Sequence, residues 1–571
     1  MGYQDMKRIS GARMLGSLLS LSTSTPERLS VALTEWRAPT WGDIGRVLAW
    51  LFRNEWAFIG LLVFCYSFFL TPAGTNTTSR YDMVYALTHG TAVIDNLAYN
   101  TIDVSLYQGH YYSPRSLGLS LLGVPVLWVL SLFRNIDDLS ANTLTTQIAL
   151  LSSFTVLPVA VAVAVAVRRF AMRIRPRLAH TALPMVIAGA FALATLAFPF
   201  ATTFFSHAFG GGLAFLGFYL LFRARTHPRP WIWAATSGLF VGFAVISEYP
   251  VGVILVVLAA YIWLVFPGRR MQMLLAFAGG IVPSVLVLGW YNWFAFGSPF
   301  HLSYAYVADD AFAGQHQGFF GITYPQLDNL WTTLVYPRGI LLSSPFLVLV
   351  PLGLIRWLRS QRQPATIRRE RLSFLRGWLR HDYTQGNAAE ALVCLAITVF
   401  YPLAIASYFL PMAGENLPGP RLLVPMLPFA CLSLIWVVDD ARLWLRRLFG
   451  ASLVFAVTLS FIFVVLGVRV DHSYGAFPIL DLYLPVLRTG VVPGLNGPTP
   501  PNLGQLWFHI PHRLSIWILA VPLAIWLVIA VRTLLAGAVR YPRGRPRLLS
   551  GPRPGARHDD TPTPEMISTG R

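Results

Sequence analysis

Long apolar runs separated by short basic breaks organise this chain. A helix needs about 20 mostly apolar residues to cross a bilayer. Twelve segments fit: 56–73, 143–167, 182–200, 205–222, 231–247, 250–266, 271–292, 339–356, 390–410, 421–437, 448–468 and 514–533. A thirteenth apolar run, 117–133, behaves differently. Counted as a full crossing, it puts the break RRFAMRIRPR (168–177) on the opposite side from the basic N-terminal region. Counted as a helix that dips in and stays on the outer side, it leaves 1–55, 168–181, 223–230, 267–270, 357–389, 438–447 and the tail from 534 on one side. Each of these carries more Lys and Arg than acid, as cytoplasmic loops do. Gly118, Gly123 and Pro125 also make 117–133 a poor straight span, although membrane helices tolerate both residue types. The pattern predicts an all-α polytopic membrane protein: a bundle of twelve crossings plus one interfacial or re-entrant helix, with both termini cytoplasmic.

The organisation follows from this. Residues 1–55 form a basic cytoplasmic segment and 56–533 a transmembrane domain with outer loops at 74–142, 293–338 and 469–513. Residues 534–571 form a basic Arg/Pro-rich tail, poor in apolar residues and expected to be disordered. The first long apolar run begins near Trp56, too far in for a cleaved leader, so the first helix is expected to stay as an anchor.

Composition agrees: 55% of the 571 residues are hydrophobic and 12% charged, about half the charge of a soluble globular chain. The net charge of +19 lies in the breaks between apolar runs. With no basic face interleaved with aromatics in a soluble segment, it does not indicate a nucleic-acid partner. Cys65, Cys394 and Cys431 lie inside apolar runs and read as small core residues, with no disulfide framework or zinc spacing.

Polar chemistry gathers in the outer loops. Asn100–Leu117 reads NTIDVSLYQGHYYSPRSL and places Asp103 close in sequence to His110, Arg115 and tyrosines 107, 111 and 112. A single loop Asp is more often a solvated carboxylate; one held beside a cation and aromatics can have its proton affinity set for catalysis. Glu248, in ISEYPVG, is costly this near a bilayer unless paired or wet. His207, in FFSHAFGGG, reads first as a packing residue and second as part of a site. MAGENLPGPRLLVP (412–425) offers Glu415 and Arg421, and YPRGILLSSP (336–345) offers Arg338. Arg115, Arg338 and Arg421 stand out because the outer loops are otherwise poor in Arg. Their planar forks of donors suit a phosphate, although an Arg at a boundary also snorkels to the surface.

These loops resemble the GT-C superfamily of integral-membrane glycosyltransferases, in the bacterial branch related to protein O-mannosyltransferases and aminoarabinose transferases (glycosyltransferase family 39-like). SRYDMVYALTHGTAVID followed by TIDVSLYQGHYYSPRSLGLSLL is similar to that group's first external loop. YNWFAFGSPF with LSYAY is similar to its second large loop, and YPRGILLSSPFLVL and GENLPGPRLLVPMLPF to its later helix starts. The resemblance runs from about 56 to 437. It implies a bundle of about a dozen helices with surface-lying helices in the first outer loop. It also implies transfer of a sugar from a polyprenyl-phosphate donor to a glycan, lipid or protein acceptor on the non-cytoplasmic side, in a bacterial plasma membrane. A first-loop acid would deprotonate the acceptor while basic residues hold the carrier phosphate.

Two departures bear on the base. The acidic pair that many members carry just before Arg-Tyr is replaced by Thr77 and Thr78, and the S-D-K-A-P-G pattern becomes Ser113 to Gly118, with Arg115 in place of Lys. Asp103 is then the first choice of catalytic base and Asp95 the second. Arg115, Arg421, Arg338, His110, Tyr112, Glu248, His207 and Glu415 are candidates for holding substrate. Assistance by a divalent metal ion stays open, since no compact ligand spacing is present. Two other classes compete: a transporter or lipid flippase, against which the nearly uncharged mid-span positions argue, and a non-catalytic relative that binds a carrier lipid. The topology predicts that a cysteine introduced at Tyr107 reacts with a membrane-impermeant thiol reagent in intact cells; reactivity only after lysis overturns it.

Overall fold

The computed structural model describes residues 47, 50–71, 74–336, 338–361, 383–411, 419–440, 442–466, 484–485, 491–492, 497–498 and 500–536. The N-terminal segment, the tail, Glu415 and most of the inner loop at 357–389 and of the outer loop at 469–513 lie outside them. In chain order the helices are α1 (Glu55–Ser67), α2 (Thr75–Thr88), α3 (Leu117–Ser131), α4 (Ala141–Ile174), α5 (Leu183–Leu193), α6 (Ala197–Ala201), α7 (Ser206–Ala224), α8 (Pro230–Ser247), α9 (Gly252–Val265) and α10 (Arg270–Phe296). There follow α11 (Leu327–Leu334), α12 (Ile340–Ser343), α13 (Val350–Ser360), α14 (Ala388–Ala406), α15 (Leu427–Ser433), α16 (Ile435–Val438), α17 (Leu443–Leu466), α18 (Leu503–Phe508) and α19 (His512–Ala536). Strands β1 (Ser105–Tyr107) and β2 (His110–Tyr112) form an antiparallel hairpin in the loop 74–142.

All twelve predicted spans are helical, in two styles. Among the described residues seven helical stretches are long and apolar enough to cross a membrane: 141–174, 230–247, 270–296, 388–406, 421–438, 443–466 and 514–536. The other five are shorter, broken or less apolar. α5 and α6 together make one span, and α12 and α13 another, joined by a 3₁₀ turn at Pro345–Leu349. α7 carries four glycines and a histidine, and its residues 206–215 are all buried. A helix screened by its neighbours does not need a lipid-compatible surface. α10 shows the opposite case, with Met271, Leu275, Val285, Leu286, Trp290 and Trp293 all exposed, a face suited to acyl chains.

The two ends of the bundle are distinguished by their contacts. At one end Glu55 pairs with Arg168 and Arg169, Asp439 with Arg175 and Arg177, Glu390 with Arg225, and Asp440 with Arg356. Arg446 donates to the Leu534 carbonyl there as well. At the other end the Phe68 carbonyl accepts from Leu503 N–H, Thr71 meets Thr202, Phe296 packs on Tyr107 and Tyr112, and Tyr408 meets Gln315. Every predicted span runs from one set to the other, and the basic breaks collect at the first.

α3 is the exception. Its start is fixed at the second end, where the Ser116 hydroxyl donates to the Ser247 carbonyl. The residues just past its C-terminus return to that end: Gln147 near the start of α4 donates to the Ile136 carbonyl, and Asp137 accepts from Tyr85 of α2. The helix enters the bundle and does not cross it, in agreement with its charge-derived placement.

α8 and α10 pack with their backbones nearly touching. A Cβ on Gly238 would stand 1.9 Å from the Phe277 carbonyl oxygen, and one on Gly280 2.0 Å from that of Ala235. Small residues permit this approach where no hydrophobic effect drives helices together. Gly280→Ala is expected to destabilise the bundle by about 1–3 kcal/mol, the usual overpacking cost. Gly279→Ala, with nothing within 4 Å of its Cβ, leaves the thermal midpoint in detergent unchanged; equal effects of the two would refute the packing argument.

Candidate functional site

The second end holds a buried cluster of charge built from four parts of the chain. α2 supplies Arg80, fully buried and donating through each nitrogen: Nε to Asn76 Oδ1 at 3.2 Å, Nη1 to the Ser116 carbonyl at 3.2 Å, and Nη2 to Ser206 Oγ at 2.7 Å. Ser206 passes its own proton to Glu248 Oε2 at 2.5 Å. His207 Nδ1 lies 2.9 Å from the same oxygen, off the direction of a hydrogen bond, so both ring nitrogens are buried without one. The start of α7 and the turn after α8 are thereby tied to the loop 74–142. Gly118 makes room for this junction, since a Cβ there would fall 2.2 Å from Ser247 Oγ.

Asp103 is buried beside this relay. Its carbonyl accepts from Ser79 Oγ at 2.8 Å, and Arg115 grips its carboxylate, with Nε and Nη2 both reaching Oδ2. The third cation, Arg421, begins a 3₁₀ turn at the head of the 421–438 span. It sits over the Phe205 ring at 5.0 Å, and Phe205 stacks on His207 at 5.9 Å. Arg421 Nε is buried with no acceptor. The three arginines face one another as well as the acids. Burial pulls the Arg80 guanidinium down to about 10, with Arg115 pushing the same way and Glu248, Tyr304 and Asp103 opposing. Burial would raise Glu248, but His207, Ser206 and Arg80 outweigh it and hold it below the usual carboxylate range.

Tyr304 and Tyr408 complete the wall. Burial pushes the Tyr304 phenol up, while its electrostatic partners are Arg115, Glu248, Arg80 and Asp103, which places it among all four. Tyr408 interacts with Tyr304, Arg115, Arg421 and Glu248. Three guanidiniums, Arg80, Arg115 and Arg421, face two carboxylates, Asp103 and Glu248. The site carries an excess of one positive charge in a place where unpaired charge is costly.

Of the residues expected from sequence, the structure brings together Asp103, Arg115, Arg421, Glu248 and His207. Asp95, at the start of the 3₁₀ turn Asp95–Asn100, and His110, on the hairpin, stand apart, paired with each other at 2.7 Å. Burial works to raise Asp95, and the Tyr111 N–H and His110 outweigh it, leaving it below the usual range. Tyr112 packs against Phe296 at 5.0 Å, behind the hairpin. Arg338 is half-buried, its carbonyl beside Gly419 and so near the Arg421 turn. Glu415 lies outside the described residues. Thr77 is occupied structurally: its hydroxyl accepts from Gly74 N–H at 2.7 Å and donates to the Gly74 carbonyl, closing the first turn of α2. Sequence reasoning passed over Arg80, Ser206, Tyr304 and Tyr408, although the S-R-Y and L-S-Y-A-Y motifs that mark the resemblance contain two of them. As for a divalent ion, His207 and Glu248 would supply two donors, but no group of three His, Cys, Asp or Glu side chains gathers among the described residues. The donor set does not fit a metal centre.

No protein-family model and no curated protein matches the chain. Among solved structures, ArnT from Cupriavidus metallidurans bound to undecaprenyl phosphate aligns over 85% of this chain and 77% of its own, at 15% identity and a TM-score of 0.38. The Archaeoglobus fulgidus oligosaccharyltransferase in its apo form aligns over 75% of this chain at 11% identity and a TM-score of 0.39. The oligosaccharyltransferase AglB from the same organism, in complex with an inhibitory peptide and a dolichol-phosphate, aligns over 78% at 11% identity and 0.40. This chain spans 55–60% of the two oligosaccharyltransferase chains. Similarity at this level leaves a functional reading to rest on the site itself.

The arginines differ in how much of their bonding is spent, and that yields a stability test. Arg80→Met strips three hydrogen bonds from a buried network and is expected to cost about 3 kcal/mol or more. Arg421→Met removes a cation with an unpartnered Nε, so the thermal midpoint should hold or rise. Midpoints in detergent that fall equally for both would show that Arg421 is spent on the fold.

Proposed function

We propose that the protein is a membrane glycosyltransferase that moves a sugar from a polyprenyl-phosphate donor to a hydroxyl-bearing envelope acceptor at the non-cytoplasmic face. The observation that carries this reading is Arg421: a buried guanidinium with an unsatisfied donor, in a site whose cations outnumber its acids and which lies at the end of an apolar bundle. An anionic phosphate on a greasy tail is the ligand that such a place suits, the head taking the surplus charge and the tail the lipid-facing surface. A freely soluble anion would not need the second feature.

The residues divide the work. Arg80 spends its donors on the protein and so positions the site. Arg115 orients Asp103 through Oδ2, which leaves Oδ1 for an acceptor hydroxyl. In transfer the acceptor oxygen forms a bond to the anomeric carbon as the bond from that carbon to the phosphate oxygen breaks, and the polyprenyl phosphate departs with the electron pair. Asp103 takes the acceptor's proton. Charge grows on the departing phosphate during this step, so a cation aimed at it favours the transition state over the ground state. Arg421 has that role, with Arg338 close behind it and Tyr304 and Tyr408 lining the approach. His207 and Glu248 hold the floor of the site.

A second reading, a non-catalytic binder of the carrier lipid, is favoured by one observation: Thr77, at a position where the related transferases carry an acid, is committed to closing a helix turn. Purified protein incubated with radiolabelled polyprenyl-phosphate sugars and an envelope extract separates the two. Transfer is expected, falling about a hundredfold or more in Arg421→Ala and at least as far in Asp103→Asn. Full transfer by a folded Asp103→Asn protein removes Asp103 from the mechanism. Binding of the carrier without turnover across the sugar panel decides for the second reading.

A further inference from the structure

Asp82 lies on α2, two residues from Arg80, and is excluded from the charged site. It is completely buried, and neither carboxylate oxygen has a hydrogen-bond partner. The polar side chain facing it is Asn100, whose own Nδ2 is likewise buried without an acceptor. Asn100 ends the 3₁₀ turn Asp95–Asn100, immediately before the segment that carries Asp103. That segment runs along α2 and is held to it at four places. Leu97 packs with Ala86, Asn100 faces Asp82, the Thr101 hydroxyl donates to the Thr75 carbonyl at 2.9 Å, and Ser79 donates to the Asp103 carbonyl at 2.8 Å. The Asp82 contact is the one among these four that changes character with a proton.

We propose that Asp82 is a positioning residue whose bound proton keeps the Asp103-bearing segment seated on α2. The proposal rests on the reading of Asp103 given above. A protonated carboxyl can donate to the Asn100 carbonyl oxygen and accept from its amide; an ionised one loses the first bond and places a charge in an apolar pocket. Among the described residues no cation offsets that charge. From α2 itself Tyr81 is the titratable neighbour, and the turn packed against Asp82 contributes the neutral Asn100. Arg80 and Arg115 face the other acids, Asp103 and Glu248. Burial accordingly pushes Asp82 up to about 8 from an ordinary 3.8, with Asn100 pulling weakly the other way. The sign follows. An acid whose seated-state value is raised binds its proton more tightly when seated, so opening of the segment becomes easier as pH climbs from the free value toward the seated one. Above that the effect is flat.

Hydrogen–deuterium exchange of full-length protein in detergent, corrected for intrinsic rates, reads this directly at residues 95–104. Between pH 5.5 and 7.5 the opening equilibrium of the wild type should rise about a hundredfold, tenfold per pH unit. Asp82→Asn, which keeps the amide contact without a titrating proton, should change less than about threefold. Exchange in α10 serves as the control for folding. A flat wild-type profile, or an Asp82→Asn profile that rises with the wild type, overturns the proposal. Should Asp82→Asn not fold, Asn100→Ala replaces it: loss of the amide that favours the ionised form should extend the rise to higher pH, and an unshifted profile is fatal. The readout needs no donor, so the two readings fail separately. Protein that opens with pH but transfers no sugar sinks the transferase; protein that transfers sugar over a flat exchange profile sinks the role of Asp82.

Discussion

Placing charge inside an apolar bundle is the constraint on which this molecule turns. A guanidinium at the edge of a bilayer is held only by a partner, by water or by a ligand. At the end where the basic breaks collect, four of the half-buried arginines have a carboxylate in reach: Arg168 has Glu55, Arg175 has Asp439, Arg225 has Glu390 and Arg356 has Asp440, while Arg446 has a backbone carbonyl. At the other end the balance fails. Arg80 is satisfied by neutral acceptors, Arg115 takes Asp103, Glu248 is taken by Ser206 and His207, and Arg421 is left over. Stability gives no reason for such an arrangement. Affinity for an incoming anion, as proposed above, would.

The spans were legible in the sequence because a bilayer imposes length and apolarity on any helix that faces it, and the basic breaks mark where one span ends and the next begins. The same logic placed α3 without reference to its neighbours. Where helices are shielded by others the signal weakens: α7 carries glycine, histidine and arginine because protein, not lipid, surrounds it. Asp103 and Arg115 were readable as a pair since twelve residues of hairpin return one to the other. The same hairpin turns Asp95 and His110 outward, a geometry that proximity along the chain does not reveal. Arg80 was the residue hardest to see. A single arginine on a short, polar-looking helix reads as a surface charge, and only the packing of α2 beneath α3 and beside α7 encloses it. Asp82 carries no sequence signal of its own, and its isolation is what makes it chemically unusual.

The site is also assembled from distant chain segments. Residues from α2, the hairpin, the head of α7, the turn after α8, the second outer loop and the head of the 421–438 span meet in one place. None forms a spacing that would betray it alone. Serines do much of the joining, Ser79, Ser113, Ser116 and Ser206 bridging backbone and charge across otherwise apolar contacts. Hydroxyls of this kind are common in membrane helices, where each is worth little as a signal.

α3 enters from one end only and leaves Leu122, Trp128, Val129, Leu132 and Phe133 exposed on its outer face. An apolar face that begins and stops at one end of the bundle covers only part of the height of the spans beside it, so the acyl chains of the nearer leaflet meet it and those of the farther one do not.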